Sequence, residues 1–312
     1  MDFPSTLIEF QDRFPDEESC WRYLKAVRWP EGFRCPRCRS RKHRCRSRKH
    51  SYLERRGLFQ CASCRVQTSV TAGTVFHATR TALRQWFLAI FFFARHKQSI
   101  SALQLQRDLG LGSYETAWTM LHKLRSALAR RPEQLLSGHV ETDETFIGGP
   151  RSGGKTGRGA PNKTLVLVMV ERRPSSAGAA VLQIVPRGSW ESLGPALRGT
   201  LEAKRATVWT DDWRGYAPLA RHGVKHRPQI QGTAERAAAI LPWAHLVASN
   251  LKAWLLGTFR GVSPKHLQRY LDEFAYRFSR RSLSERLFFY VTRRAVEAEP
   301  FPYHRLTAES VG

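Results

Sequence analysis

Different hydrophobic patterns follow one another along the chain. Apolar and acidic positions mix at helical spacing from about Phe3 to Trp29, where Pro30 stops the pattern. Helical spacing returns from Arg84 to about Ala129, and strand-length β-branched runs recur from Val140 onward. The chain is therefore expected to begin with helical modules and to end in a domain that combines strands with helices.

The pattern after the second helical region predicts a sheet. Strands are expected at Val140–Ile147, from Thr164, from Ala179 and from Ala206, with a helix from Trp190 before the fourth strand. Arg130 to Gly138 contains Pro132 and is predicted to be the linker into this domain. Three strands joined by short turns, followed by a helix and another strand, indicate an α/β domain with a mixed sheet.

Two short helices joined by a glycine-containing turn are predicted before the linker. The first spans Ser101 to Leu109, the turn is G-L-G-S, and Ser113 caps a second helix with Glu115 in its first turn. The apolar residues predicted to form their shared core are Leu103, Leu109, Ala117, Met120, Leu121 and Leu124. This pattern favours a DNA-binding helix-turn-helix, although an ordinary helical hairpin has the same pattern.

The charge balance narrows the class of partner. The 312 residues include 51 Lys and Arg against 26 Asp and Glu, which leaves a formal net charge of +25, and 42% hydrophobic content is typical of a globular chain. A basic surface that serves only solubility is the plain alternative. Because the basic residues cluster beside aromatic and cysteine motifs, nucleic acid is the expected partner.

Neither a secretory signal nor a membrane span is expected. The first residues, Met1 to Phe14, carry acids, and the longest apolar run, Trp86 to Ala94, has nine residues between two arginines. About twenty apolar residues are needed to cross a bilayer. A cytoplasmic protein with reduced cysteines and no membrane partner is therefore predicted.

Four cysteines have the spacing of a metal site. Cys35 and Cys38 form C-P-R-C, Cys61 and Cys64 form C-A-S-C, and 22 residues separate the pairs. Such spacing predicts a zinc ribbon with a structural Zn²⁺, since four thiolates leave no open position for chemistry. The alternative is that these are ordinary buried, reduced cysteines, but such cysteines would not need the same two-residue gap within each pair. Cys20 and Cys45 lack this spacing, and we expect them to be ordinary thiols.

Two basic segments are candidates for phosphate contact. The first contains nine Lys and Arg residues from Arg39 to Arg56. A run of solvated charges is the usual interpretation of such a segment. On a hairpin that protrudes from the ribbon, however, Arg41, Lys42 and Arg44 are well placed to bind the phosphates of DNA, and we predict that they do so.

The second segment, Gly149 to Thr156, fits the phosphate-binding loop G-x-x-x-x-G-K-[ST] formally, but a strand follows it where that loop needs a helix. It is interpreted as a hairpin loop whose Arg151 and Lys155 contact DNA.

Aspartates are scarce in the last domain, where the only ones are Asp143, Asp211, Asp212 and Asp272. Asp143 interrupts a β-favouring run, where a carboxylate is costly unless it is paired or bound to metal. Asp211 ends the strand A-T-V-W-T. Carboxylates at neighbouring strand ends can hold Mg²⁺, whereas Asp212 and Asp272 fit ordinary surface positions.

A helix that begins at Pro242 offers further candidates. Its apolar face is predicted to contain Ala244, Val247, Ala248, Leu251, Trp254 and Leu255. His245 and Lys252 share another side of the helix, about 20° apart in projection, and Asn250 points away from them. A histidine beside an apolar face is often structural, but its alignment with a lysine two turns on favours a functional role.

These residues resemble insertion-sequence transposases that join an N-terminal zinc ribbon to a ribonuclease-H-like domain of the D-D-E type. The carriers are C-P-R-C with C-A-S-C, T-S-V-T-A-G-T-V-F-H, L-Q-L-Q-R-D-L-G-L-G-S-Y-E-T-A-W, E-T-D-E-T-F-I-G-G, T-D-D-W-R-G-Y and G-V-S-P-K-H-L-Q-R-Y-L-D-E-F-A-Y-R-F. The resemblance implies a ribonuclease-H-like mixed sheet flanked by helices. Four regions are expected. Residues 1–75 form the N-terminal helices and the zinc ribbon, and residues 76–130 form the helix-turn-helix region. Residues 131–290 form the ribonuclease-H-like catalytic domain, and residues 291–312 form a C-terminal tail.

The resemblance also implies roles. Asp143 and Asp211 correspond to the first two catalytic acids of the family. The third is usually a Glu that is followed seven residues later by a Lys. Here His245 stands at the position of that Glu, and Lys252 stands at the position of the Lys. Ser279 stands where Asn is common.

The implied activity is Mg²⁺- or Mn²⁺-dependent cleavage and strand transfer by a dimer or larger complex, acting on terminal inverted repeats and target DNA in the prokaryotic nucleoid. A decayed or domesticated DNA-binding protein without catalysis is the alternative.

Overall fold

The computed structural model describes residues 4–40, 50–148, 163–229 and 240–308, and the chain divides into two compact units. One unit contains the residues up to Leu128 together with Leu283–Ala308, and the other is Ala129–Ser282. The C-terminal segment therefore folds with the N-terminal part of the chain and not with the sheet that precedes it.

The N-terminal helical pattern forms two helices, α1 (Leu7–Arg13) and α2 (Glu17–Arg28). The break falls at Pro15 because the side chain of Asp16 accepts a hydrogen bond from Ser19 N at 2.8 Å and starts a new helix. α2 ends one residue before Trp29, close to the stop predicted at Pro30.

The cysteine module is a small antiparallel sheet. A short helix α3 (Pro36–Ser40) precedes β1 (His50–Leu53), β2 (Leu58–Cys61) and β3 (Gln67–Ser69), which pair in that order. The guanidinium of Arg28 donates hydrogen bonds to the carbonyls of Ser69, Val70 and Ala72. The helical cap is thereby fastened to the ribbon at the end of β3.

Three further helices follow the ribbon: α4 (Leu83–Arg95), α5 (Ala102–Leu109) and α6 (Tyr114–Ala127). The predicted helix pair is confirmed, with Ser113 Oγ accepting from Thr116 N at 3.1 Å. One predicted core residue was wrong, because Leu103 is 47% exposed. Leu103 lies about 100° around the helix from Ala102, whereas Leu105 continues the buried face.

The second unit contains a five-stranded mixed sheet. Its strands are β4 (Leu136–Ile147), β5 (Thr164–Arg172), β6 (Ala177–Ile184), β7 (Leu201–Asp211) and β8 (Lys225–Gln229), in the order β6-β5-β4-β7-β8. The pairs β4–β5 and β5–β6 are antiparallel, and β4–β7 and β7–β8 are parallel. The predicted α/β class with a mixed sheet is confirmed.

Two details of the sheet differ from the sequence prediction. β4 begins at Leu136, inside the predicted linker, and its register shifts between Leu136 and Gly138, where Gly138 has a φ of +68°. β8 is not predicted because K-H-R-P-Q is charged and contains Pro228. An edge position tolerates that proline, since one side of an edge strand makes no ladder.

Helices cover both faces of the sheet. α7 (Trp190–Arg198) belongs to the cluster around Val140, Leu167 and Val208, together with Tyr216 of the 3₁₀ segment Arg214–His222. α8 (Pro242–Phe259) and α9 (Pro264–Ser279) cover the other face through a cluster that includes Val166, Val168 and Val170. Each face therefore buries its own apolar layer, as a three-layer α/β domain requires.

The last helices, α10 (Leu287–Glu297) and α11 (Tyr303–Thr307), belong to the first unit. Phe288 of α10 is fully buried, with its ring centroid 5.8 Å from that of Phe14 and 5.9 Å from that of Phe87. The aromatic core of the N-terminal unit is therefore completed by a residue from the C-terminal end of the chain.

Candidate active site and zinc cluster

Parallel strands bring Asp143 and Asp211 to the same end of the sheet. In the register of β4 and β7, Glu141 lies opposite Trp209. Each aspartate stands two residues further along its strand, and side chains two residues apart project from the same face. That face is the one covered by α8, because Trp209 packs against the α8 cluster.

α8 places His245 beside Asp143 of β4. The predicted apolar face of the helix is largely confirmed, with Ala244, Val247, Leu251, Trp254 and Leu255 buried and Ala248 half-buried. His245 lies beside this face, and its Nε2 is 3.2 Å from Asp143 Oδ2. The side chains of His245 and Asp143 are 37% and 23% exposed, so solvent and a substrate can reach the pair.

Backbone amides orient both carboxylates. Asp143 Oδ1 accepts a hydrogen bond from Glu144 N at 2.8 Å, while its Oδ2 faces His245. Asp211 Oδ1 accepts from Trp213 N at 3.2 Å. Because each bond is made within the acid's own strand end or the following turn, local backbone geometry sets the direction of both side chains.

The turn after Asp211 is held by a close approach of two backbone segments. Trp213 Nε1 donates to the carbonyl of Gly188 at 2.7 Å. A Cβ added to Gly215 would lie 2.3 Å from that same carbonyl oxygen, a separation that real Cβ atoms do not show. Glycine is therefore required at position 215 to keep the Trp213 ring and the Asp211 turn in place.

Tyr216 lies beneath the acids, and its place could not be predicted from the sequence. Burial raises the pKa of Tyr216 well above its ordinary value, and the charges of Glu144, Asp143 and Asp211 raise it further. The phenol of Tyr216 is therefore within electrostatic range of three carboxylates. The motif T-D-D-W-R-G-Y contains Tyr216, but nothing in its spacing separates this tyrosine from one that only fills the core.

The donor set of the two aspartates and His245 fits a divalent ion. Carboxylate oxygens are the ligands that Mg²⁺ and Mn²⁺ prefer, whereas an imidazole nitrogen favours transition ions over Mg²⁺. The ligand atoms of Asp143, Asp211 and His245 do not all lie within 4.8 Å of one another. In the described ranges, only the four cysteines form a group whose ligand atoms all lie within 4.8 Å of one another.

The four predicted zinc ligands come together in the ribbon. Cys35 Sγ is 3.5 Å from Cys64 Sγ, and Cys38 Sγ is 3.8 Å from Cys61 Sγ. Burial raises the pKa of Cys61, but hydrogen bonds from the backbone N–H groups of Cys64 and Ser63 outweigh this effect and bring it to about 6. Sulfur atoms so gathered, with one favouring the thiolate, suit a structural Zn²⁺. Cys20 is buried in α2, away from the cluster.

The predicted DNA-binding residues are described only in part. Arg41, Lys42, Arg44, Arg151 and Lys155 lie outside the described residues. Lys252 is exposed on α8.

The segment from Gly149 to Thr156, which fits the phosphate-binding loop formally, also lies outside the described residues. The next element that the structure describes is β5, a strand that pairs antiparallel with β4, whereas a nucleotide-binding loop requires a helix after it.

The second helix of the predicted helix-turn-helix has little free surface. Tyr114 and Glu115 in its first turn are exposed, and every later residue of α6 is buried or half-buried. A hydrogen bond to Glu115 raises the pKa of Tyr303 in α11, so the C-terminal helix reaches this end of α6. DNA contact by the pair stays a prediction, and it is restricted to the first turn of α6 and the turn before it.

Comparison with known sequences defines the class. Residues 15–67 match the transposase zinc-ribbon domain, and residues 135–279 match the ISXO2-like transposase domain. The chain thus belongs to the insertion-sequence transposases that carry a zinc ribbon, and its second unit has the ribonuclease-H-like fold of that class. Within this class, residues 135–279 carry the ISXO2-like transposase domain.

The chain is also similar to a protein found in a mobile element. It is 29% identical over 286 residues to an uncharacterized protein in the transposable element ISH50 of Halobacterium salinarum. The match covers 85% of this chain and 91% of the relative. The similarity therefore extends through both units, although it assigns no role to any residue.

None of the helices in the described part of the chain is long and apolar enough to cross a membrane.

Proposed function

We propose that the protein binds the terminal inverted repeats of its insertion sequence and catalyses metal-dependent DNA strand cleavage and strand transfer. The observation that carries the proposal is the placement of Asp143 and Asp211 on neighbouring strands, with His245 Nε2 at 3.2 Å from Asp143 Oδ2. Three potential metal ligands face one solvent-accessible side of the sheet, and the chain belongs to a transposase family.

Asp143, Asp211 and His245 would hold Mg²⁺ or Mn²⁺. Two such ions, when bound, would activate the attacking oxygen and stabilise the leaving 3′ oxygen. Glu144 N and Trp213 N keep the two carboxylates oriented. Lys252 lies two turns after His245 on an exposed side of α8, where its ammonium binds a backbone phosphate near the scissile bond.

The reaction consists of two phosphoryl transfers. Water first attacks the phosphorus at the element's end, the bond to the 3′ oxygen breaks, and a free 3′-hydroxyl results. That hydroxyl then attacks a phosphorus of target DNA, and the target's own 3′ oxygen leaves. No covalent bond to the protein forms, so Asp143 and Asp211 act as ligands and not as nucleophiles.

DNA binding is assigned to the basic parts of the first unit and to loops near the acids. The zinc ribbon with Arg41, Lys42 and Arg44, and the helix pair α5–α6, would hold the repeats, while Arg151 and Lys155 contact DNA near the catalytic face. Two ends must be joined to one target, so a homodimer or larger synaptic complex in the cytoplasm, on the nucleoid, is part of the proposal.

The test is cleavage of DNA that carries the element's own ends, with Mg²⁺ or Mn²⁺ supplied. Asp143→Asn or Asp211→Asn is expected to reduce cleavage about a thousandfold or more, with DNA affinity retained. Asp212→Asn is the matched control, since Asp212 adjoins Asp211 and is exposed. Equal loss in all three variants would contradict the assigned roles.

A non-catalytic DNA-binding protein is the competing function. It predicts salt-dependent binding to the ends, as the transposase does. It also predicts that the intact protein never cuts those ends with either metal, and that outcome would exclude the proposed activity.

A further inference from the structure

Glu141 is a fully buried carboxylate two residues before Asp143 on β4. It projects from the same face of the sheet as Asp143. Burying a carboxylate is costly unless hydrogen bonds or opposite charges compensate it. The partners of Glu141 therefore indicate what its position accomplishes.

Those partners are the first amides of α8. Trp243 N and Ala244 N donate hydrogen bonds to Glu141 Oε2 at 2.7 and 3.0 Å. The first N–H groups of a helix have no partner inside the helix, and the helix N-terminus attracts negative charge. Leu241, the N-cap residue, makes no side-chain cap, so an acid from the sheet takes that place. Arg172 Nε lies 3.9 Å from Glu141 Oε1 and brings an opposite charge near the carboxylate.

This cap ties the strand of Asp143 to the helix of His245. Ala244 immediately precedes His245, and Glu141 is separated from Asp143 by one residue. His245 and Asp143, whose side chains are 3.2 Å apart, therefore lie one and two residues away from the two ends of the hydrogen bond between Ala244 and Glu141. Apolar packing by Val247 and Leu251 keeps the rest of α8 on the sheet without Glu141. The distinct effect of the cap is on the first turn, where His245 lies.

We propose that Glu141 is a positioning residue that sets the separation of His245 from Asp143 and so prepares the metal-binding geometry. The inference rests on the proposed function in so far as His245 serves as a metal ligand. Groups behind metal ligands commonly change metal affinity by about 10–100-fold when they are removed.

Glu171 provides a matched control. It is another carboxylate of the same sheet that accepts from backbone amides, with Ser137 N at 3.2 Å and Ala179 N at 3.3 Å. It lies opposite Val140, on the sheet face away from α8. A purely structural role for Glu141 would make the two residues equivalent in their effect on the site.

The experiment compares Glu141→Gln and Glu141→Ala with Glu171→Gln and Glu171→Ala in the full-length, zinc-loaded protein. Mn²⁺ affinity is measured by electron paramagnetic resonance well below the unfolding temperature. We expect it to fall about tenfold or more in the Glu141 variants and to stay within about twofold of wild type in the Glu171 variants. Unchanged affinity in a folded Glu141 variant, or an equal fall in both pairs, overturns the proposal.

A metal-free readout separates this inference from the proposed function. NMR of the ¹³C-labelled imidazole, assigned with His245→Asn, reports the surroundings of His245 without any ion. We expect the His245 signal to shift in Glu141→Gln and to stay in place in Glu171→Gln, and an unmoved signal in the former overturns the positioning role. If wild type binds no Mn²⁺ while the signal shifts, the proposed function fails and the positioning role stands. Glu141→Gln keeps the side-chain shape, so the test survives if Glu141→Ala does not fold.

Discussion

In the proposed function, the chemistry of the site depends on His245 Nε2. A neutral imidazole has one N–H donor and one nitrogen lone pair. The Nε2 that faces Asp143 Oδ2 at 3.2 Å cannot both donate a proton to that carboxylate and bind an ion. Metal binding therefore requires the ring proton to reside on Nδ1.

The imidazole predicts a metal preference. His245→Glu restores the D-D-E pattern of the resemblance, and we expect this variant to cleave the element's ends and to prefer Mg²⁺ over Mn²⁺ more strongly than wild type, because a carboxylate suits Mg²⁺. His245→Ala is expected to lose about a hundredfold in cleavage rate. Rates at matched concentrations of each metal provide the measurement.

Asn250→Ala is the control for the histidine variants. Asn250 is exposed on α8, about 140° around the helix from His245. Full activity of His245→Ala together with inactivity of Asn250→Ala would contradict the assignment of His245.

At the scale of elements, α10 has a role that its place near the end of the chain does not suggest. Phe288 lies among aromatic rings of α1, α2 and α4, with centroid distances of 6.3 Å to Phe10 and 5.9 Å to Tyr23. Arg294 Nε also donates to the carbonyl of Ala127 at the end of α6, at 2.8 Å. α10 is therefore a structural helix of the first unit.

The contribution of α10 to the stability of the first unit can be measured by shortening a buried side chain of this helix. Phe288→Ala removes a fully buried ring and is expected to lower the free energy of unfolding of the first unit by about 3–5 kcal/mol. Phe289→Ala, at the neighbouring half-buried position, is expected to cost clearly less. Chemical denaturation followed by tryptophan fluorescence measures both. Equal losses would contradict the central place of Phe288.

The helix pair illustrates how packing limits function at this scale. α5 and α6 have the predicted spans, but α6 is surrounded so closely that only its first turn remains well exposed. A recognition helix contacts bases with its N-terminal residues, so the exposed turn is compatible with DNA contact. A long reading face along α6 is not compatible with its burial.

At the scale of the molecule, zinc is expected to control DNA binding through the fold of the ribbon. A structural zinc site contributes about 10–16 kcal/mol of apparent binding free energy in zinc-finger peptides. Chelation, or Cys64→Ser, is therefore expected to unfold the ribbon and to weaken DNA binding. Zinc content by elemental analysis and DNA affinity by fluorescence anisotropy measure the two effects.

Cys20→Ala is the control for zinc loss. Cys20 is buried in α2 and lies outside the four-cysteine cluster, so this variant is expected to keep its zinc even if its stability falls. Retention of zinc by Cys64→Ser would contradict the ligand assignment.

The amino-acid sequence alone determined what depends on local spacing. The cysteine pairs, the cap at Ser113, the helix start at Pro242, the strand at Asp143 and the apolar face of α8 follow from the short-range periodicity of helices, strands and knuckles. The mixed sheet, and the positions of Asp143 and Asp211 on its strands, followed from the same patterns. Leu103 shows the limit, since an apolar residue at a plausible spacing proved to be exposed.

Only the tertiary structure decided which distant residues meet. Strand order brings Asp211 beside Asp143, the edge strand β8 pairs despite its charges, and Phe288 enters a core formed more than 190 residues earlier in the chain. Glu141 is the clearest case, because in sequence it is only an acid in a strand. Its hydrogen bonds to Trp243 and Ala244 arise from long-range packing of α8 on the sheet, and no local pattern encodes such a contact.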